Sequence, residues 1–155
     1  MAELKEGSKA PDFTLPSSEA GEVSLQSLNG KPVVLYFYPK DDTPGCTKEA
    51  CDFRDLRKKF QAAGAEIYGV SFDSINSHKK FITKYKLPFP LLSDEDKSIA
   101  KKYGVYKQKS FMGRSYMGIE RTTFVIGPDQ KIKKIFPKVK VEGHVEEVLT
   151  AVKSL

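Results

Sequence analysis

Apolar residues fall along this chain in runs whose period changes repeatedly, and the changes mark its elements. The densest run, Val33-Val34-Leu35-Tyr36-Phe37-Tyr38, is β-branched and aromatic without polar alternation, the pattern of a strand covered on both faces. Pro39 ends it. Thr43 then reads as an N-cap and Pro44 as the first residue of a helix running to about Ala63. Phe53, Leu56, Arg57 and Phe60 carry its apolar spacing, Arg54, Asp55, Lys58 and Lys59 face outward, and Gly64 stops it. Ala65 to Ser71 is a second strand, so strand, helix and strand form a βαβ unit with parallel strands.

The rest follows from the same reading. Asp73-Ser74 precedes a helix from Ile75 to about Tyr85, Leu87-Pro88-Phe89-Pro90 breaks it, and Leu91-Leu92-Ser93 is short and extended. Lys97 to Tyr103 is a third helix closed by Gly104, and Tyr106 to Gly118 is a loop with strand character near Tyr116. Thr122 to Ile126 and Lys131 to Phe136 form a hairpin about Gly127-Pro128-Asp129-Gln130. Glu142 or Gly143 opens a last helix with Val145, Val148, Leu149 and Val152 on one face. Ahead of the central strand, Ala10 to Pro16 reads as a short edge strand bounded by prolines, and Val23 to Leu25 as another. The pattern is that of an α/β domain.

Composition narrows the class. At 155 residues, 39% hydrophobic and 30% charged, without repeats or linkers, residues 1–155 are one soluble domain able to bury a core. No apolar run approaches membrane-spanning length, and Met1 to Glu6 shows no apolar signal core, so a cytoplasmic protein without a membrane partner is expected. The net charge of +6 comes mostly from scattered lysines and does not mark a nucleic-acid surface. The two cysteines are too few for a disulfide scaffold. Cys-x4-Cys is not a usual zinc spacing, and the two histidines, His78 and His144, lie far away, so no metal is expected. Both histidines are expected on helix surfaces, without a role.

The candidate chemistry is in Pro39-Lys40-Asp41-Asp42-Thr43-Pro44-Gly45-Cys46-Thr47-Lys48-Glu49-Ala50-Cys51, which holds both cysteines. Counting from Pro44, Cys46 is the third helical residue. Free N–H groups and the positive end of the helix dipole favour an anion there, and the thiolate is the nucleophilic form of cysteine. Pro44 and Gly45 argue for an exposed turn, and the Thr43 hydroxyl lies within reach of the sulfur or of a substrate. Arg121, just before an apolar strand, reads by itself as an exposed arginine at a strand end. Tyr36, Tyr38, Phe89, Met112 and Met117 are expected to pack the core rather than wall a pocket.

Pro39, Thr43 and Cys46 match Pro-x-x-x-Thr-x-x-Cys, the motif of the peroxiredoxins, which this stretch resembles. Cys51 five residues on resembles the peroxiredoxin Q or bacterioferritin comigratory protein branch. The resemblance runs from Ala10-Pro11-Asp12-Phe13 to the closing helix. It implies a thioredoxin-like fold, a mixed central sheet flanked by helices. It implies a peroxidase acting on hydrogen peroxide and organic hydroperoxides without a cofactor: Cys46 becomes a sulfenic acid, Cys51 condenses with it, and thioredoxin or a similar dithiol reduces the disulfide. Thr43 would position substrate, Pro39 would shape the loop, Arg121 would face the sulfur, and Glu49 could orient that arginine. Both cysteines are local, so a monomer is expected. The rival readings are a disulfide oxidoreductase, whose Cys-x-x-Cys is missing, and a redox-sensing or chaperone-like binding protein.

Overall fold

The computed structural model describes residues 4–19 and 21–155. Its centre is a five-stranded mixed sheet. Strand β3 (Val33–Phe37) lies in the middle, parallel to β4 (Glu66–Ser71) on one side and antiparallel to β8 (Thr122–Ile126) on the other. Strand β5 (Leu91–Ser93) extends the parallel side and β9 (Ile132–Phe136) the antiparallel side, giving the order β5-β4-β3-β8-β9. Strands β1 (Thr14–Pro16) and β2 (Glu22–Ser24) form a separate antiparallel pair, shorter at β1 than the sequence pattern predicts.

Every residue of β3 is buried, and its alternation divides the core. Val33, Leu35 and Phe37 point into one layer with Phe13, Tyr103 and Phe124. Val34, Tyr36 and Tyr38 point into the other with Cys46, Phe53, Phe60, Phe89 and the apolar face of α5 (His144–Lys153). Gly69 makes the second layer possible: a Cβ there would lie 2.8 Å from the Tyr36 ring and 2.7 Å from Leu91. Tyr36 uses that space to stack on Phe53 at 4.6 Å.

Helix α3 (Ile75–Tyr85) has the predicted bounds, with the Ser74 hydroxyl accepting from the Ser77 N–H as N-cap, and α4 (Ser98–Lys102) lies within a residue of expectation at each end. Two readings need correction. The single helix expected from Pro44 to Ala63 is two, α1 (Pro44–Asp55) and α2 (Arg57–Ala62), joined at Leu56 with φ −101° and ψ 7°. The break brings the Phe53 and Phe60 rings to 5.7 Å, where a straight helix separates residues seven apart by about 10.5 Å along its axis. The expected loop at Tyr106 to Gly118 is a hairpin, β6 (Tyr106–Phe111) and β7 (Arg114–Ile119), turning at Met112 and Gly113 with φ 51° and 78°. That turn demands positive φ at both positions, and methionine at the first hides a signal that Asn-Gly would have announced. No helix among the described residues is long and apolar enough to cross a membrane.

Candidate active site

At the C-terminal end of β3 the chain passes through half-buried Pro39, turns at Asp42 with φ 57°, and enters α1. Thr43 is the N-cap by backbone conformation, its carbonyl accepting from the Thr47 N–H at 2.8 Å. Its hydroxyl donates to the Lys40 carbonyl at 2.9 Å instead of capping the helix. Cys46 is the third residue of α1, as counted; the turn before it is exposed at Pro44 and Gly45, as expected, but Cys46 itself is only 2% exposed. The sulfur belongs to the layer built by Tyr36, Tyr38 and Phe53.

Arg121 reaches this sulfur from β8's entry and is not the exposed residue its local sequence suggests. Its Nη2 donates to Cys46 Sγ at 3.3 Å and its Nη1 to Glu49 Oε1 at 2.7 Å. Gly45 leaves room for the guanidinium, since a Cβ there would lie 3.2 Å from Nη2. Burial works against the Arg121 charge, but Glu49 and Cys46 outweigh it and raise its pKa. Glu49 is fully buried; desolvation pushes its carboxyl up to about 7 against the opposing pull of Arg121. Its second oxygen has no hydrogen-bond partner among the described residues.

Both histidines are buried, contrary to the surface placement expected. His144 Nε2 is hydrogen-bonded to Thr123 Oγ1 at 2.8 Å and lies 3.8 Å from Glu49 Oε2. Burial, then the Arg121 charge, lowers its pKa to about 4, so it faces Glu49 as a neutral ring near pH 7. His78 bridges the loop and the sheet: Nδ1 lies 2.8 Å from Asp41 Oδ2 and Nε2 3.0 Å from the Leu92 carbonyl. Asp41 also accepts from Tyr38 Oη and Ser77 Oγ, and its N–H donates to Asp73. Asp42, next in the chain, accepts from Lys84 and Tyr85 of the same helix α3, each at 2.8 Å. Two adjacent carboxylates thus clamp the loop carrying Pro39 and Thr43 onto α3. Asp41, Asp73 and His78 offer three donor atoms within 4.8 Å of one another, but the hydrogen bonds above already satisfy them.

Sequence reasoning missed Asp41, His78, Thr123 and His144. A helical reading held a signal for both histidines: His78 sits three residues before buried Phe81, and His144 four before buried Val148. Met112 and Met117, expected in the core, are 86% and 51% exposed. Cys51 is half-buried further along α1, and both thiols are free. Burial raises the Cys51 pKa despite the charge of Arg54, so in the folded helix its thiol is protonated near pH 7. A separate open cleft of about 490 Å³, lined by Leu4, Tyr103, Val105, Phe124 and Ile135 among others, contains none of these side chains, so cavity size does not mark the chemistry.

The AhpC/TSA family model matches residues 7–135. A protein of Coxiella burnetii named putative peroxiredoxin bcp is 53% identical over 146 residues, 94% of this chain and 97% of that protein. Peroxiredoxin Bcp of Bacillus subtilis is 48% identical over 149 residues, 96% and 95% of the two chains. A solved structure of the bacterioferritin comigratory protein of Xanthomonas campestris, concerned with that protein's alkyl peroxide reduction activity, superposes with a TM-score of 0.90 at 40% identity. It covers 97% of this chain and 98% of that one.

Proposed function

The chain belongs to the AhpC/TSA family, among the peroxiredoxins, and from that premise we propose that it is a thioredoxin-dependent thiol peroxidase with Cys46 as its nucleophile. The observation that carries the assignment of the nucleophile is the 3.3 Å contact from Arg121 to a sulfur at the third position of a helix. A fixed cation and free helix N–H groups both favour a thiolate there.

The Cys46 thiolate attacks the terminal oxygen of a hydroperoxide. The S–O bond forms as the O–O bond breaks, and the departing oxygen takes a proton and leaves as water or an alcohol. The planar Arg121 fork, held by Glu49, is suited to hold peroxide oxygens while it neutralises the sulfur. Pro39 and Thr43 line the approach, and Thr43 keeps an acceptor lone pair after donating to Lys40. The Cys51 thiolate then attacks the Cys46 sulfenic acid, hydroxide leaves as water, and an intramolecular disulfide forms. With no third cysteine in the chain, two electrons from thioredoxin or a similar dithiol restore both thiols. The alkyl peroxide activity of the Xanthomonas campestris relative supports organic hydroperoxides alongside hydrogen peroxide as substrates.

We also read the active unit as a monomer in the cytoplasm. Both cysteines lie on one helix, so the chemistry needs no second chain, and a close redox pair in place of a disulfide scaffold suits a reducing compartment.

The test is peroxide consumption with a thioredoxin regenerating system. Wild type should turn over and Cys46→Ser should not. A serine variant consuming peroxide at the wild-type rate would exclude Cys46 as nucleophile. Cys51→Ser should complete the first oxidation but lose thioredoxin-supported recycling.

A further inference from the structure

The hairpin β6–β7 has no part in the peroxide chemistry, yet it holds four of the five large hydrophobic side chains exposed on the described surface: Phe111 67%, Met112 86%, Tyr116 48% and Met117 51%. Single exposed apolar residues are ordinary, but four gather on one 14-residue ribbon, and Phe111, Met112 and Tyr116 form a patch, with Met117, paired to Gln108, on the other face. The patch also has a pattern. Phe111 pairs with Arg114 and Lys109 with Tyr116, so these four share one face, the two rings as diagonal neighbours. Met112 stands at the tip. No Asp or Glu occurs between Val105 and Ile119, against two lysines and one arginine.

The patch is joined to the reacting sulfur by a short piece of chain. Strand β7 ends at Ile119, and two residues later Arg121 contacts Cys46. The base is anchored: Ile119 is buried, Tyr106 packs edge-on against Phe72 at 5.6 Å, and the Glu120 N–H closes on the Val105 carbonyl. Beyond that base each six-residue strand spans about 17 Å, and a two-stranded ribbon alone is marginally stable. The fold thus extends an apolar, basic ribbon from the strand that delivers its active-site arginine.

We propose that the β6–β7 hairpin is the docking surface for the protein dithiol that reduces the Cys46–Cys51 disulfide, a partner whose contact face is apolar at its centre and carboxylate-bearing at its rim. The proposal rests on the peroxidase reading, which requires such a protein to reach this end of the sheet in every cycle. Aromatic residues, methionine and arginine are the types enriched where proteins meet. Small redox encounters of this kind bury little area and are steered by charge. A lipid surface is less well matched. Lys107 is paired with Glu120, and Lys109 donates to the Ile119 carbonyl, which leaves Arg114 as the one hairpin cation without such a partner among the described residues. One free cation is a weak hold on an anionic bilayer.

In the exchange, a thiolate of the partner attacks one sulfur of the disulfide and forms a mixed disulfide. Its second thiol then displaces this protein, and two electrons and two protons leave both cysteines reduced. The test isolates that step from peroxide chemistry. The protein is oxidised with diamide, and its reduction by reduced bacterial thioredoxin is followed by stopped flow, with dithiothreitol as the small-molecule control. Phe111→Thr with Met112→Asn removes the apolar tip while keeping strand propensity and a residue suited to positive φ; Arg114→Glu inverts the charge. Each variant should react about tenfold more slowly with thioredoxin and at the wild-type rate with dithiothreitol. Arg114→Glu should also flatten the dependence on salt. Thioredoxin rates within twofold of wild type would overturn the proposal. So would an equal loss with both reductants, or co-sedimentation of wild type alone with phosphatidylglycerol vesicles while thioredoxin rates are unchanged. Peroxide consumption by wild type, measured separately, tests the peroxidase reading.

Discussion

Arg121 and Glu49 act on one sulfur, and each makes a separate prediction. Arg121→Lys keeps a positive charge but loses the fork that spans Cys46 and Glu49. The rate of Cys46 oxidation, read by stopped-flow fluorescence, should fall about a hundredfold, or roughly 2.7 kcal/mol. A change within twofold would remove Arg121 from the mechanism. Glu49 predicts a pH effect on stability. Burial raises its carboxyl to about 7 in the folded protein, against 4.5 for an unperturbed glutamate. Between those values the unfolded chain has released this proton and the folded protein still holds it, so the group lowers stability as pH rises from about 4.5 to about 7. The full cost is on the order of 3 kcal/mol. Urea unfolding of Glu49→Gln should therefore gain on wild type steadily across that interval, and a constant offset would refute the assignment. At this scale Cys46 and Thr43 were legible because helix starts are local: Pro44 sets the count. The partners of His78 and His144 were not, although helical spacing signalled burial, because Asp41 and Thr123 lie 37 and 21 residues away.

Helix α1 holds both cysteines, and that sets a condition on turnover. In an intact helix, residues five apart have Cα atoms about 8.6 Å apart, whereas a disulfide needs them within about 7 Å with converging Cβ vectors. The first turns of α1 must therefore unwind before Cys51 can reach Cys46. The structure brackets the part that moves. Asp41 and Asp42 clamp the chain before Thr43 to α3, and Leu56 already separates α1 from α2. Phe53 stacks on Tyr36 and anchors the far side. Amides from Thr43 to Asp52 should exchange faster in the disulfide form than in the dithiol form, while those of α2 and α3 keep their protection. Equal protection from Thr43 to Asp52 in both forms, with the bond confirmed by mass, would sink this account. Unwinding also exposes Cys51 and removes the burial that raises its pKa. The bracket was only partly legible. A strand before Pro39 and a helix after Thr43 follow from local chemistry, but no proline or glycine marks Leu56, and the exposed hairpin lacks the alternation that burial imposes on a strand.

At the scale of the molecule, the α/β class, the parallel pairing of β3 with β4 and the apolar face of α5 were readable from the apolar runs and their spacing, whereas the division of the core into two layers was not. The close approach at Gly69 was not, since it depends on a ring from the neighbouring strand. Gly69→Ala should cost about 1–3 kcal/mol through overpacking, seen as a melting temperature lower by about 2–4 °C per kcal/mol. An unchanged melting temperature would mean that Tyr36 can move aside without loss. The antiparallel pairing of β3 with β8 has a consequence in time. The two strands are far apart in sequence, and the Arg121–Cys46 contact spans 75 residues. Pairings of such separation form late and slowly, after their loop entropy has been overcome. On the ribosome, Cys46 emerges long before Arg121 exists to face it. A half-made chain therefore carries an ordinary cysteine, and the peroxide-sensitive sulfur comes into being only when the molecule is complete.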